Sequence, residues 1–378
     1  MNLFKSLLVA PATLGLLAPM SATANEVTIS DFTPAEQLAI TNSRVDGLEA
    51  RVNNIEAGSF SETTTASFGV NFYAGINDDD DAAPNTEDNL MTGYDFSISL
   101  NTSFTGEDSL DIAIDAGNAG AEGILEFGGD TGEALSVDEI TYTFPLGDKT
   151  TIQVGDNNDA SALFTTACVY GTPSDTLDAC GNVNAAVDNG GVMLGAAYDF
   201  GNGLTAAVGY AGSETDVANE EGQDAYGFNL AYTGDNYGVS FTYGALEDNN
   251  NPGVQDNMGV DTHYAFNGYF DPESEGLPSI SVGYELGEDA SVAGDADGLT
   301  NFFVGLGWDE FGPGELGVGM GTHTSTVEDT DAQYMYEVYY SYAINDGMTI
   351  TPLIFVKDIS TANTDDTTGV MVKTSFSF

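Results

Sequence analysis

From Ser59 to Phe378 the chain alternates apolar and small polar residues with a period of two. Tyr94, Phe96, Ile98 and Leu100 alternate with Asp95, Ser97, Ser99 and Asn101, and Tyr226, Phe228, Leu230 and Tyr232 with Gly227, Asn229, Ala231 and Thr233. Successive side chains of a strand point to opposite faces, so each run predicts a β-strand with one apolar face and one small, polar face. Turn residues divide the region into runs near 62–76, 91–104, 109–116, 139–145, 150–156, 191–200, 203–211 and 224–233, and then near 236–246, 261–271, 278–288, 299–308, 314–323, 332–343, 347–356 and 367–378. Short connections such as Gly201-Asn202-Gly203 and Asn345-Asp346-Gly347 alternate with long polar ones. That asymmetry predicts hairpins in series with two unlike ends.

An even number of strands, seven turns and eight loops is the arithmetic of a membrane β-barrel whose two chain ends lie on the turn side. A soluble β-sandwich would also hide an apolar face. Against it stand the aromatics of Tyr334, Tyr336, Tyr339, Tyr340 and Tyr342, expected to form an interfacial girdle, and the final alternation of Val370, Val372, Thr374, Phe376 and Phe378. The expected fold class is therefore all-β: a sixteen-stranded antiparallel transmembrane β-barrel preceded by a short N-terminal coiled-coil helix.

The helix is read from a change of period between Pro34 and Gly58. Leu38, Val45 and Val52 share one heptad position and Thr41, Leu48 and Ile55 the other. Arg44 with Glu49 and Arg51 with Glu56 have the spacing that pairs parallel helices across such a seam. A helix this short is marginal alone, so its partners must also be held together elsewhere. Before it, Lys5, the apolar stretch Leu7 to Leu17 and Ala22-Thr23-Ala24 read as an export signal. The expected organisation is a signal peptide at 1–24, a periplasmic segment with the helix at 25–58, and the barrel at 59–378.

Composition changes the picture in two ways. Sixty Asp and Glu stand against six Lys and Arg, which excludes general affinity for nucleic acid. Cys168 and Cys180 lie in the exported part, and their spacing fits one disulfide rather than a zinc site, with His263 and His323 far downstream. Neither histidine is accompanied by the groups of a hydrolase triad, and Gly317, Gly319 and Gly321 lack the Lys of a phosphate-binding loop. No enzyme and no cofactor are expected.

Arg44 to Thr65, RVDGLEARVNNIEAGSFSETTT, together with the leader LLVAPATLGLLAP, resembles the cyanobacterial outer-membrane porin family, where a similar coil and FS-x-TT segment lead into the barrel. The resemblance implies a homotrimeric passive pore in the cell outer membrane of a cyanobacterium, passing small hydrophilic solutes and ions such as sugars and set in outer-membrane lipid. The chain departs from the family in two respects. Only Asn25 to Pro34 stand where members carry an S-layer-homology domain, which is read as missing, and the FS-x-TT segment lacks the Lys that commonly follows it. The trimerising role of the coil is carried over, and peptidoglycan binding is not.

In trimeric porins the third outer loop folds into the barrel. By that resemblance the longest connection, Asn157 to Gly190, nominates Asp156, Asp159, Asp175 and Asp178 for a constriction that the Cys168–Cys180 disulfide would stiffen. Strand parity adds Asp95, Asp111 and Asp115 as inward wall carboxylates and turns Lys373 inward on the last strand. Six of the sixty acids precede Gly58, so the barrel region carries −51 against Lys149, Lys357 and Lys373, and a cation-preferring lumen is expected. Most acids, as in Asp78 to Asp81, Glu220-Glu221 and Asp365-Asp366, fall in outer loops. They suit solvation or loose binding of divalent cations. The competing reading is a closed barrel whose acidic loops bind divalent cations or a partner.

Overall fold

The computed structural model describes residues 63–378 apart from 79–89, 123–124, 176, 188–190, 216, 218–221, 249–258, 273, 275, 289–297, 323, 329 and 359–365. The signal peptide, the coiled coil from Leu38 to Glu56 and His323 lie outside the described residues.

Sixteen long strands follow one another: β1 Thr64–Asp78, β2 Met91–Thr102, β3 Ser109–Gly117, β4 Ser136–Pro145, β5 Thr150–Asn158, β6 Gly191–Gly201, β7 Leu204–Gly212, β8 Asp224–Thr233, β9 Tyr237–Asp248, β10 Gly259–Phe270, β11 Ser279–Glu288, β12 Gly298–Phe311, β13 Gly314–Thr322, β14 Tyr334–Asn345, β15 Met348–Lys357 and β16 Thr367–Ser377. Each pairs antiparallel with its neighbours in sequence, and β16 closes on β1 from Gly69 opposite Ser377 to Asp78 opposite Thr368. Closure leaves the barrel sheet itself without an edge, which backbone in lipid requires. The sixteen predicted runs are these strands, with differences at the ends. β4 starts at Ser136 because a register shift beside Ala113 lets pairing continue where alternation breaks, and an irregularity between Trp308 and Phe311 extends β12 in the same way.

The two faces invert the order of a soluble protein. Phe266 and Ile354 are more than half exposed, while Asn229, Thr242 and Ser281 are buried. An apolar outer belt of this extent is stable against lipid rather than water. Aromatic pairs such as Phe241 with Phe266 and Tyr243 with Tyr264, at 5.0 and 5.2 Å, tie neighbouring strands on that surface. Tyr339 corrects the expected girdle: opposite Gly317 and Leu353, on the parity of the buried Glu337, it faces inward.

Seven short connections share one end of the barrel and eight longer ones the other, and β1 begins and β16 ends at the short-turn end. The turn after β2 shows how such a connection is held. Asp108 accepts hydrogen bonds from the Phe104 and Thr105 amides at 2.9 and 2.7 Å, from the Ser103 and Thr105 hydroxyls, and from Tyr142 at 2.7 Å. The Tyr142 hydroxyl and the Thr105 amide hold its carboxyl well below the usual carboxylate range. A carboxylate whose folded pKa is depressed stabilises the fold above its unfolded pKa, and that contribution fades as pH falls through the folded value. Asp108→Ala should therefore unfold at lower temperature than wild type at pH 7. The gap should begin to narrow in the range where ordinary carboxylates protonate and close only in stronger acid, as read by thermal melts across pH.

Candidate functional site

The connection 159–190 turns into the barrel. It leaves β5 at an irregularity between Gly155 and Asn158, where Asn157 adopts φ 55° and its side-chain Nδ2 donates to the Val137 carbonyl at 2.9 Å. Asn tolerates that left-handed backbone better than most residues. An irregular segment inside a barrel has no ladder to satisfy its amides, so the wall must supply partners. The small polar inner residues do so. The Thr165 amide donates to Asn229 Oδ1 at 3.0 Å, the Ala167 amide to Ser240 Oγ at 2.9 Å and the Val169 amide to Ser281 Oγ at 3.0 Å. Asn267 donates to the Cys180 carbonyl at 2.8 Å. At Gly209 and Gly283 the backbone of the loop comes so close, through the carbonyls of Ala160 and Cys180, that a Cβ on either glycine would collide with it.

Two carboxylates pin the loop. Glu285 on β11, fully buried, accepts from the Asn184 and Ala185 amides at 2.8 Å each, from the Asn184 side chain at 2.6 Å and from Asn301 at 2.8 Å. Glu337 on β14 accepts from the Tyr170 hydroxyl at 2.7 Å and the Ser174 hydroxyl at 3.5 Å. Burial, together with the Glu337 carboxylate, pushes the Tyr170 phenol above its ordinary range. Across the Glu337 anchor Cys168 and Cys180 form the expected disulfide, with Cα atoms 6.5 Å apart.

The connection 118–135 also bends inward. The Tyr94 amide donates to Asn118 Oδ1 at 3.0 Å, and Phe127, fully buried, stacks on Tyr73 with ring centroids 5.2 Å apart. A Cβ at Gly128 would meet the Asp175 carboxylate, so the two loops approach each other inside the barrel. Tyr73, Phe127, Tyr170, Leu177 and Cys180 share one apolar core with Phe303, Met335, Leu353, Phe355 and Met371 of the wall. The inner face is thus not small and polar throughout: where loops cover it, large apolar residues replace serine and glycine.

The nominated residues divide accordingly. Asp95, Asp111 and Asp115 stand on the inner face. Asp95 accepts from Asn71 at 2.8 Å and Tyr73 at 2.6 Å, and Asp111 accepts from Asn101 at 2.6 Å and from Ser109. Asp115 lies opposite Ser97 and Ser136, and one of its buried oxygens has no hydrogen-bond partner. Asp159, Asp175 and Asp178 belong to the inserted loop, the last two exposed. Asp156 is a correction. It pairs with Ile140 and shares the exposed outer parity of Val154, so it does not face the interior, because the irregularity that launches the loop comes after it. Lys373 is inward, with Nζ 5.3 Å from the centre of the Tyr73 ring. Glu139, opposite Ala113 on the inner face and accepting from Asn158 at 2.9 Å, joins the wall carboxylates without having been singled out. Glu285 and Glu337 were also missed, although their alternation with Tyr284, Leu286, Tyr336 and Val338 marks both as inward. Among the described residues no three His, Cys, Asp or Glu are grouped to hold a metal.

No protein-family model matches the chain. It is similar to an uncharacterized protein of Nostoc sp., alr4550, with 30% identity over 285 residues, which is 70% of this chain and 45% of that protein. The chain thus spans less than half the length of that curated relative. Among solved structures, OmpF of Salmonella typhi in complex with daunomycin superposes with a TM-score of 0.58 at 14% identity over 83% of this chain and 97% of its own. An anion-selective porin from Comamonas acidovorans gives 0.58 at 12% identity over 84% and 99%. A loop-deletion mutant of OmpT, an outer membrane protein of Vibrio cholerae, gives 0.56 at 11% over 84% and 100%. At such identities the likeness is one of fold: the closed sixteen-stranded barrel is that of porins.

Proposed function

We propose that the chain is an outer-membrane porin, a passive channel for small hydrophilic solutes and ions that prefers cations. The observation that carries this reading is the pinned loop. It covers the inner wall from β6 to β14, while β2 to β4 keep Asp95, Asp111, Asp115 and Glu139 on the inner face. A channel narrowed on one side and lined by carboxylates on the other concentrates cations. The fold does not set the sign, since an anion-selective porin shares it; the charge of this wall does. The resemblance of the N-terminal segment to cyanobacterial porins supports a periplasmic coil and a homotrimer.

The test is reconstitution of the full chain in planar bilayers under a potassium chloride gradient. Stepwise channels with a cation-directed reversal potential are expected, and the preference should shrink toward 1 M salt, where charges are screened beyond about 3 Å. An anion-directed potential would refute the charge reading, and an absence of channels the pore itself.

A further inference from the structure

Of the three basic residues in the barrel region, Lys149 sits in a turn and donates to the Phe200 carbonyl at 3.2 Å, and Lys357 is fully buried. Lys373 is the remaining one, and it lines a cavity of about 340 Å³ at the short-turn end of the barrel. Glu315 lines the same cavity, as do Tyr339 and the hydroxyls of Ser341, Thr351 and Ser375, while Gly171 to Pro173 of the inserted loop roof it. The strand register puts these groups in a row. Glu315 on β13 is directly opposite Ser341 on β14, the Ser341 and Thr351 hydroxyls hydrogen-bond at 3.1 Å, and Thr351 on β15 is directly opposite Lys373 on β16. Carboxylate, two hydroxyls and ammonium thus cross four neighbouring strands at one level. Three strand spacings separate the ends by about 14 Å at the backbone. Lys373 Nζ lies 5.3 Å from the centre of the Tyr73 ring on β1, on the far side of β16 from Glu315, so a ligand must draw the Lys side chain across from that ring; turned into the row, it and the Glu315 side chain reach in from either end and shorten the span.

We propose that this row is a binding site for small zwitterions of the amino-acid type, with Lys373 taking the carboxylate and Glu315 the ammonium group. The alternatives fit less well. A free anion would meet the −51 of the surrounding barrel region, and a free cation would meet Lys373 while other carboxylates stood open to it. A neutral polyol would occupy the hydroxyls and offer neither charge a counter-charge. A zwitterion has no net charge, so the long-range field neither repels nor attracts it, while both of its ends gain charge-assisted hydrogen bonds. The roof holds the cavity in shape, because Tyr170, next to Gly171, is tied to Glu337 and packs edge-on against Tyr339 with centroids 5.8 Å apart.

The site deepens the pore reading and is tested so that the two can fail separately. With full-length protein in planar bilayers, L-serine is expected to reduce potassium current in a dose-dependent way, and glycerol, lactate and ethanolamine to act about tenfold more weakly, the scale of one charge-assisted bond. Lys373→Met and Glu315→Gln should each abolish the distinction between serine and glycerol, and Lys373→Arg should keep it. Equal action of serine and glycerol on wild type, or a distinction that survives Lys373→Met, would overturn the site. If wild type forms no channels, the pore reading fails alone, and calorimetric titration of the detergent-solubilised barrel with L-serine decides the site. Heat that is lost in Lys373→Met supports it, and no heat with wild type overturns it.

Discussion

Glu285→Ala is expected to raise single-channel conductance several-fold by releasing one end of the inserted loop. The substitution leaves four donors without their acceptor: the amides of Asn184 and Ala185 and the side chains of Asn184 and Asn301. Hydrogen bonds to a charged group each contribute about 1.5–3 kcal/mol, and buried donors left unsatisfied cost about as much. Even two such losses exceed the thermal energy several times over, enough to shift a local equilibrium by two orders of magnitude or more. The other anchor stays in place, since Tyr170 still donates to Glu337. The loop should therefore swing rather than leave, widening the channel along β11 and β12. Hydrogen exchange at the Asn184 and Ala185 amides should accelerate along with conductance. Glu285→Gln keeps acceptor oxygen but turns an NH₂ group toward donors, so its effect should be intermediate. Unchanged conductance in Glu285→Ala, with accelerated exchange, would mean that this end of the loop does not narrow the channel.

Much of the barrel was legible in the sequence because lipid imposes a strict rule on it. Every strand must put apolar side chains outward, so a period of two recurs sixteen times, and the parity it sets fixed Asp95, Asp111, Asp115 and Lys373 on the inner face. The same parity would have exposed Glu285, a long carboxylate in a row otherwise built of Ser and Gly, and Glu337, a carboxylate between the inward Met335 and Tyr339. The inserted loop obeys no period, since its amides are satisfied by whichever wall residues it passes, and nothing local tells where Asp175 or Asp178 comes to rest. Asp156 stands near the end of β5, where nearness to the loop suggests one face and parity dictates the other. Met335, Leu353, Phe355 and Met371 were obscured for a further reason. Apolar residues on both faces of a strand break alternation, and the break itself marks where another part of the chain covers the wall.

That covering gives the second large effect, with a sign opposite to the first. Gly283→Val should lower single-channel conductance. Valine suits a strand, so the barrel itself should tolerate it. Its side chain, however, would point inward into the Cys180 carbonyl and crowd the Asn267 amide that donates to that carbonyl. Forcing extra atoms into a packed contact costs about 1–3 kcal/mol, which the loop can relieve more easily than the sheet. With Glu285 and Glu337 still holding both sides, the stretch around Cys180 has only the lumen to move into, so the channel narrows. The two substitutions together test whether the loop sets the aperture. If Glu285→Ala widens the channel and Gly283→Val narrows it, loop position governs conductance; if both shift it the same way, the dominant cause is a general loosening of the barrel. In the double variant the loop, freed at one end, should move away from the introduced valine toward the turn end, so the narrowing should vanish and conductance should match that of Glu285→Ala alone. Simple addition of the two single effects would instead indicate that anchor and glycine act on separate parts of the loop.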